Sequence, residues 1–121
     1  MDCGVGLYAA EILHGLKGSE EELETICYVP CEEQATKWMP ELRDRYFNAL
    51  AVCTEVVNVA YEKTVGCEFK AYLEAMNEAD AVIAVYDPDD PCCEREAAAV
   101  VVAEMLNRQV LTVDPKAIRI F

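Results

Sequence analysis

The spacing of apolar residues changes period several times along the chain, and each change marks an element. Leu7, Ala10, Ile12, Leu13 and Leu16 recur at helical spacing, with Gly15 and Gly18 loosening the end of that helix. Thr25 to Pro30 (TICYVP) reads as a strand stopped by Pro30, and Cys31 to Lys37 as a polar loop. A second helix runs from Trp38 to about Val52, with Pro40 in its first turn, where the missing N–H costs little. Glu55 to Ala60 (EVVNVA) is a β-branched strand, Tyr61 to Gly66 a loop, and Glu68 to Asn77 a third helix. Ala81 to Tyr86 is a continuous apolar run without alternation, the pattern of a strand buried on both faces. It stops at Asp87-Pro88-Asp89-Asp90-Pro91, a loop, and a helix follows from Glu94 to Asn107. Gln109 to Val113 is a further strand closed by Asp114-Pro115, and Ala117 to Phe121 reads as an edge strand.

This alternation predicts an α/β fold of repeated βα units in one domain, with a mostly parallel sheet and helices on both faces. The chain opens with a helix whose preceding strand is missing. A bare sheet edge leaves N–H and C=O groups unpaired. We therefore expect it to be covered by the strand at Ile118 to Phe121 or by a second copy, which makes a homo-oligomer the simplest assembly. The central strand, polar turn and helix start around Asp87 occupy the place where open α/β sheets bind ligands.

Composition narrows the function classes. With ten Lys and Arg against twenty-three Asp and Glu, the formal charge is -13, which argues against nucleic acid and anionic membranes as partners. No apolar run approaches the ~18 residues of a membrane span, and no secretory leader is visible, so a cytoplasmic protein is expected. Seven cysteines, an odd number, do not read as a disulfide framework in such a setting, and most suit small buried positions. Cys3, Cys31, Cys67, Cys92 and Cys93 nevertheless fall near strand ends or helix starts and are the candidates for a metal or redox site. No Cys-x-x-Cys pair supports them. No nucleophile elbow, phosphate-binding loop or His-Glu-x-x-His is present, and His14 has no assigned catalytic role.

Several ordered segments carry a family resemblance. Gly4-Val5-Gly6-Leu7-Tyr8-Ala9-Ala10-Glu11, Val29 to Trp38, Arg43-Asp44-Arg45-Tyr46, Glu55-Val56-Val57, Gly66-Cys67-Glu68-Phe69-Lys70, Asp80 to Asp87 and Val110 to Pro115 resemble the YpsA-like branch of the SLOG superfamily. That superfamily includes the DprA/Smf and LOG proteins. The resemblance spans roughly Gly4 to Pro115 and implies a Rossmann-like three-layer fold that binds a nucleotide or a nucleotide derivative. Two departures stand out. The strand that precedes the glycine-rich entry is absent, and the turn after the central strand, usually Gly-Gly-Thr in the family, is Asp87-Pro88-Asp89-Asp90-Pro91-Cys92-Cys93. Three aspartates repel a phosphate where glycine amides would cradle one.

The ligand-binding candidates are Gly4, Gly6, Trp38, Arg45, Lys70 and Asp87. An aromatic face with a guanidinium nearby can stack a base and hold an anion, the reading for Trp38 and Arg45. The expectation is a non-enzymatic or regulatory protein that binds a small nucleotide-derived ligand through a reduced site. Two other readings fit the same residues: an enzyme on a nucleotide derivative completed by a partner chain, or an interaction scaffold without a ligand.

Overall fold

The computed structural model describes residues 5–17, 22–32, 34–116 and 119–120, and the chain divides into two compact units, Met1–Cys67 and Glu68–Phe121. Cys3, Gly4, Ile118 and Phe121, all named above, lie outside the described residues.

In the first unit, α1 (Val5–Lys17) packs against α2 (Pro40–Val52), and β1 (Ile26–Val29) pairs in parallel with β2 (Glu55–Asn58). The register sets Cys27 opposite Val56 and Tyr28 opposite Val57. α2 starts at Pro40 rather than at Trp38, preceded by Met39 in an extended conformation and with no side-chain cap, and Pro40 holds the first-turn position expected of it. Side chains two apart on β1 share a face, and Cys27 and Val29 are its buried pair. Leu7 of α1, Tyr46 and Ala49 of α2, and Ala35 and Cys31 of the connecting loop are buried as well. Tyr46 takes edge-on contacts from Trp38 at 5.0 Å and Phe47 at 5.2 Å between ring centroids, a favoured geometry for aromatic pairs.

In the second unit, α3 (Cys67–Glu78, whose first residue belongs to the first unit) leads into β3 (Ala81–Val85). A short 3-10 turn (Pro91–Cys93) then opens α4 (Glu94–Met105), followed by β4 (Gln109–Asp114) and β5 (Arg119–Ile120). β3 and β4 are parallel, and β5 returns antiparallel to β4, so the tail does form an edge strand. Met76, Ala99 and Ala103 form the core, with Phe69, Tyr72, Leu73, Val82, Val102 and Val110 packed around it. α4 ends on Asn107 at φ 59, with Arg108 N–H donating to Ala103 C=O and Asn107 N–H to Glu104 C=O. Those two bonds are the Schellman pattern, with Asn in place of the usual glycine. Arg108 then reaches α3 and donates to the carbonyls of Met76 and Asn77, each at 3.3 Å.

The α/β class and parallel pairing expected from the sequence are therefore present, but the strands hydrogen-bond as two sheets, β1-β2 and β3-β4-β5. Burial of β3 also differs from expectation. Val82 faces the core, whereas Ile83 is 71% exposed beside an exposed Leu111, its register partner. Within the second unit α3 and α4 cover the Val82–Val110 face, and a continuous apolar run does not by itself report which face is covered.

Candidate functional site

The turn that leaves β3 is built from its own carboxylates. Asp87 Oδ1 accepts the Asp89 N–H and Asp90 Oδ1 accepts the Cys92 N–H, both at 2.9 Å. The Asp90 N–H donates to Asp87 C=O, the Cys93 N–H to Asp90 C=O and the Glu94 N–H to Pro91 C=O. Pro88 and Pro91 have no N–H to offer. Every amide from Asp89 to Glu94 is thus engaged inside the turn. Two aspartate oxygens occupy the positions toward which such a turn would draw an external anion.

Beside this turn lies an open cleft of about 450 Å³ lined by Phe69, Pro91, Cys92, Glu94, Arg95 and Ala98. Phe69 supplies an aromatic surface and Arg95 a cation, with Glu94 next to it. One helical turn after Phe69, Tyr72 donates its hydroxyl to Glu96 Oε1 at 3.3 Å, while Glu96 Oε2 is buried with no hydrogen-bond partner among the described residues. A buried carboxylate oxygen of this kind calls for a donor. Cys92 is exposed, and the neighbouring Asp90 carboxylate pushes its thiol above the usual range.

With this geometry in view, a family model settles the kinship. The model described as the YspA SLOG family (YpsA) matches residues 1–114. The chain belongs to the YspA SLOG family. No curated protein matches it at a significant level. Family membership accounts for the alternating helices and short parallel strands, and it associates the fold with nucleotide-related ligands.

The residues singled out from the sequence are dispersed. Gly6 lies in the first turn of α1, half-buried. Trp38 stands against Tyr46 in the first unit. Arg45 is engaged by α1, forming an ion pair with Glu11 and lying over the Tyr8 ring at 5.2 Å from its centroid. That pairing holds the Glu11 carboxyl below its ordinary range and raises the Arg45 guanidinium. Lys70 is exposed in the first turn of α3, and Asp87 is half-buried at the end of β3. The structure thus gives Trp38 and Arg45 separate intramolecular partners. Sequence reasoning passed over Phe69, Arg95 and Glu96. Their signal was the i, i+3 pair Phe69–Tyr72 together with the first turn of α4, legible only once α3 and α4 were known to share one face.

The cysteines separate as well. Cys31 and Cys67 are buried, Cys93 is half-buried and Cys92 is exposed. Among the described residues no group of three or more His, Cys, Asp or Glu side chains is placed to hold a metal ion. Nor is any described helix long and apolar enough to cross a membrane. A contact outside the sequence candidates is more informative: His14 Nε2 of α1 lies 3.7 Å from Cys53 Sγ at the end of α2.

Proposed function

We propose that this SLOG-family chain is a non-enzymatic, regulatory binding protein for a small nucleotide-derived ligand, acting through a site that has given up phosphate recognition. The self-engaged turn from Asp87 to Glu94 is the observation that supports this reading. An anion approaching it meets Asp87, Asp89 and Asp90 and finds no amide to receive it. The helix-end attraction of ~0.3–1 kcal/mol per charge does not offset such a cluster. The cleft favours a neutral ligand, with a base against Phe69 and polar groups toward Glu94 and Arg95 at its rim. The same proposal includes assembly of the chain as a homo-oligomer in the cytoplasm, with neither nucleic acid nor membrane as partner, given its charge of -13.

Titration calorimetry with adenosine, AMP and ATP tests the reading. Adenosine is expected to bind at least as tightly as ATP, and Asp87→Gly with Asp90→Gly is expected to raise ATP affinity roughly ten-fold by freeing amides and removing charge. ATP binding the unaltered chain ten-fold tighter than adenosine would sink the proposal. Absence of binding by all three probes would favour the scaffold reading. Native mass spectrometry of the ligand-free protein reads oligomeric state in the same preparation.

A further inference from the structure

α1 carries its apolar side outward. Helix positions four and seven apart share a face, and Leu7, Glu11 and His14 lie on the one turned toward α2. Leu7 is fully buried there, Glu11 pairs with Arg45, and His14 Nε2 stands 3.7 Å from Cys53 Sγ. Lys17, near the same face, donates to the Thr54 hydroxyl at 3.3 Å. Polar side chains therefore carry much of the inward contact. The opposite face holds Val5, Tyr8, Ala9, Ile12, Leu13 and Leu16, all exposed, with Ile12 at 65%. A surface helix ordinarily turns such a stripe toward its own core. Contiguous apolar patches of roughly a few hundred Å² on a protein surface mark interaction sites.

The pattern of this face names what covers it. Val5, Ala9, Ile12 and Leu16 follow one another at intervals of four, three and four, the seam along which paired helices interlock. Laid antiparallel on a copy of itself, the seam is self-complementary about a two-fold axis midway between Ala9 and Ile12. Ala9 then meets the partner's Ile12 and Val5 meets the partner's Leu16, so that a smaller side chain stands opposite a larger one. In the same register Tyr8 overhangs the partner's Gly15, where an added Cβ would find nothing within 4 Å. Charge points the same way. The chain carries -13, so two copies repel each other over their acidic surfaces, whereas these six residues include no charged side chain. We propose that α1 is the interface of a homodimer, two copies pairing this face antiparallel. The proposal gives a surface to the homo-oligomer put forward above and rests on that part of the reading, not on the ligand. A 13-residue helix is about 20 Å long, and such a pair falls short of the ~800 Å² per partner of a standard interface. The dimer is accordingly weak and dissociates on dilution.

Sedimentation velocity of the full chain tests it. Monomer is expected near ~1 µM and dimer near ~100 µM. Ile12→Lys and Ala9→Glu, each at an exposed position, are each expected to weaken the dimer at least ten-fold without changing the circular dichroism spectrum. Should Ile12→Lys fold poorly, Ile12→Gln reads the same loss. Mixing Ile12→Lys with Ala9→Glu is expected to restore dimer, because the antiparallel register sets the introduced lysine opposite the introduced glutamate. A dimer that tolerates both substitutions, or a mixture that stays monomeric, would overturn the α1 interface while leaving a homo-oligomer in place. A chain still monomeric at ~100 µM would overturn both and leave the face to a different protein. Adenosine calorimetry reads the ligand separately, so the two failures are told apart.

Discussion

The two units apply one architectural idea to different chemistry. Each pairs short parallel strands, β1 with β2 and β3 with β4, and each packs helices against one face of the pair. The first buries Tyr46, Cys27 and Cys31 among Leu7, Val29, Ala35 and Ala49, whereas the second packs Met76, Ala99 and Ala103 with aliphatic and aromatic carbon and also buries Thr112 and Asp114. Their polar groups differ accordingly. In the first unit the Cys53 thiol meets the His14 imidazole. In the second, Asp87 and Asp90 meet backbone and close a turn on themselves, while Glu96 accepts from the Tyr72 hydroxyl. The lesson is that a βα frame does not decide where the amides of a strand-end turn are spent. The side chains at that turn do.

The largest effect expected from breaking this contrast is at Tyr46. Truncating it to alanine removes the ring against which Trp38 and Phe47 pack, and a loss of about 3–5 kcal/mol is expected by chemical denaturation. The milder Tyr46→Phe separates the hydroxyl from the ring. Burial, then the nearby Cys27 and Cys31, pushes the Tyr46 hydroxyl up to about 12 from an ordinary 10.0. Because the folded value lies above the unfolded one, the associated stability is present below pH 10 and is lost as pH rises toward 12. Comparing wild type with Tyr46→Phe across that window should show an alkaline loss of about 2–3 kcal/mol present only in the wild type. Equal slopes for both proteins would contradict the burial of that hydroxyl.

Smaller effects sharpen the second unit. Arg108→Ala leaves the last carbonyls of α3, on Met76 and Asn77, without their guanidinium, and a destabilisation of about 1–2 kcal/mol is expected in the same denaturation assay. An unchanged midpoint would show that water replaces the cation without cost. The smallest effect is kinetic. Asp90→Asn removes the charge that raises the Cys92 thiol, so alkylation of Cys92 near pH 8 should quicken by about two- to five-fold. The Cys53 rate serves as the internal control.

The element boundaries were legible because local rules agreed with one another. Pro40 opened α2, and Asp114-Pro115 closed β4 as its sequence implied. The acidic turn after β3 was also visible in the string Asp87 to Cys93. What the string could not show is that the same aspartates consume the turn's amides, since that depends on which N–H each carboxylate reaches. Trp38 and Arg45 looked like a ligand pair by proximity in sequence, yet Trp38 packs on Tyr46 and Arg45 crosses to Glu11 and Tyr8 on α1. His14 and Cys53 show the converse. They are 39 positions apart, neither carries a motif, and only the packing of α1 against α2 brings them into contact. Periodicity, proline and charge act over a few residues, so the sequence by itself determined the elements, their order and the acidity of the turn. The meeting of distant polar side chains is a product of packing, so the tertiary structure alone decided the occupied turn, the Phe69–Arg95 cleft and the His14–Cys53 contact.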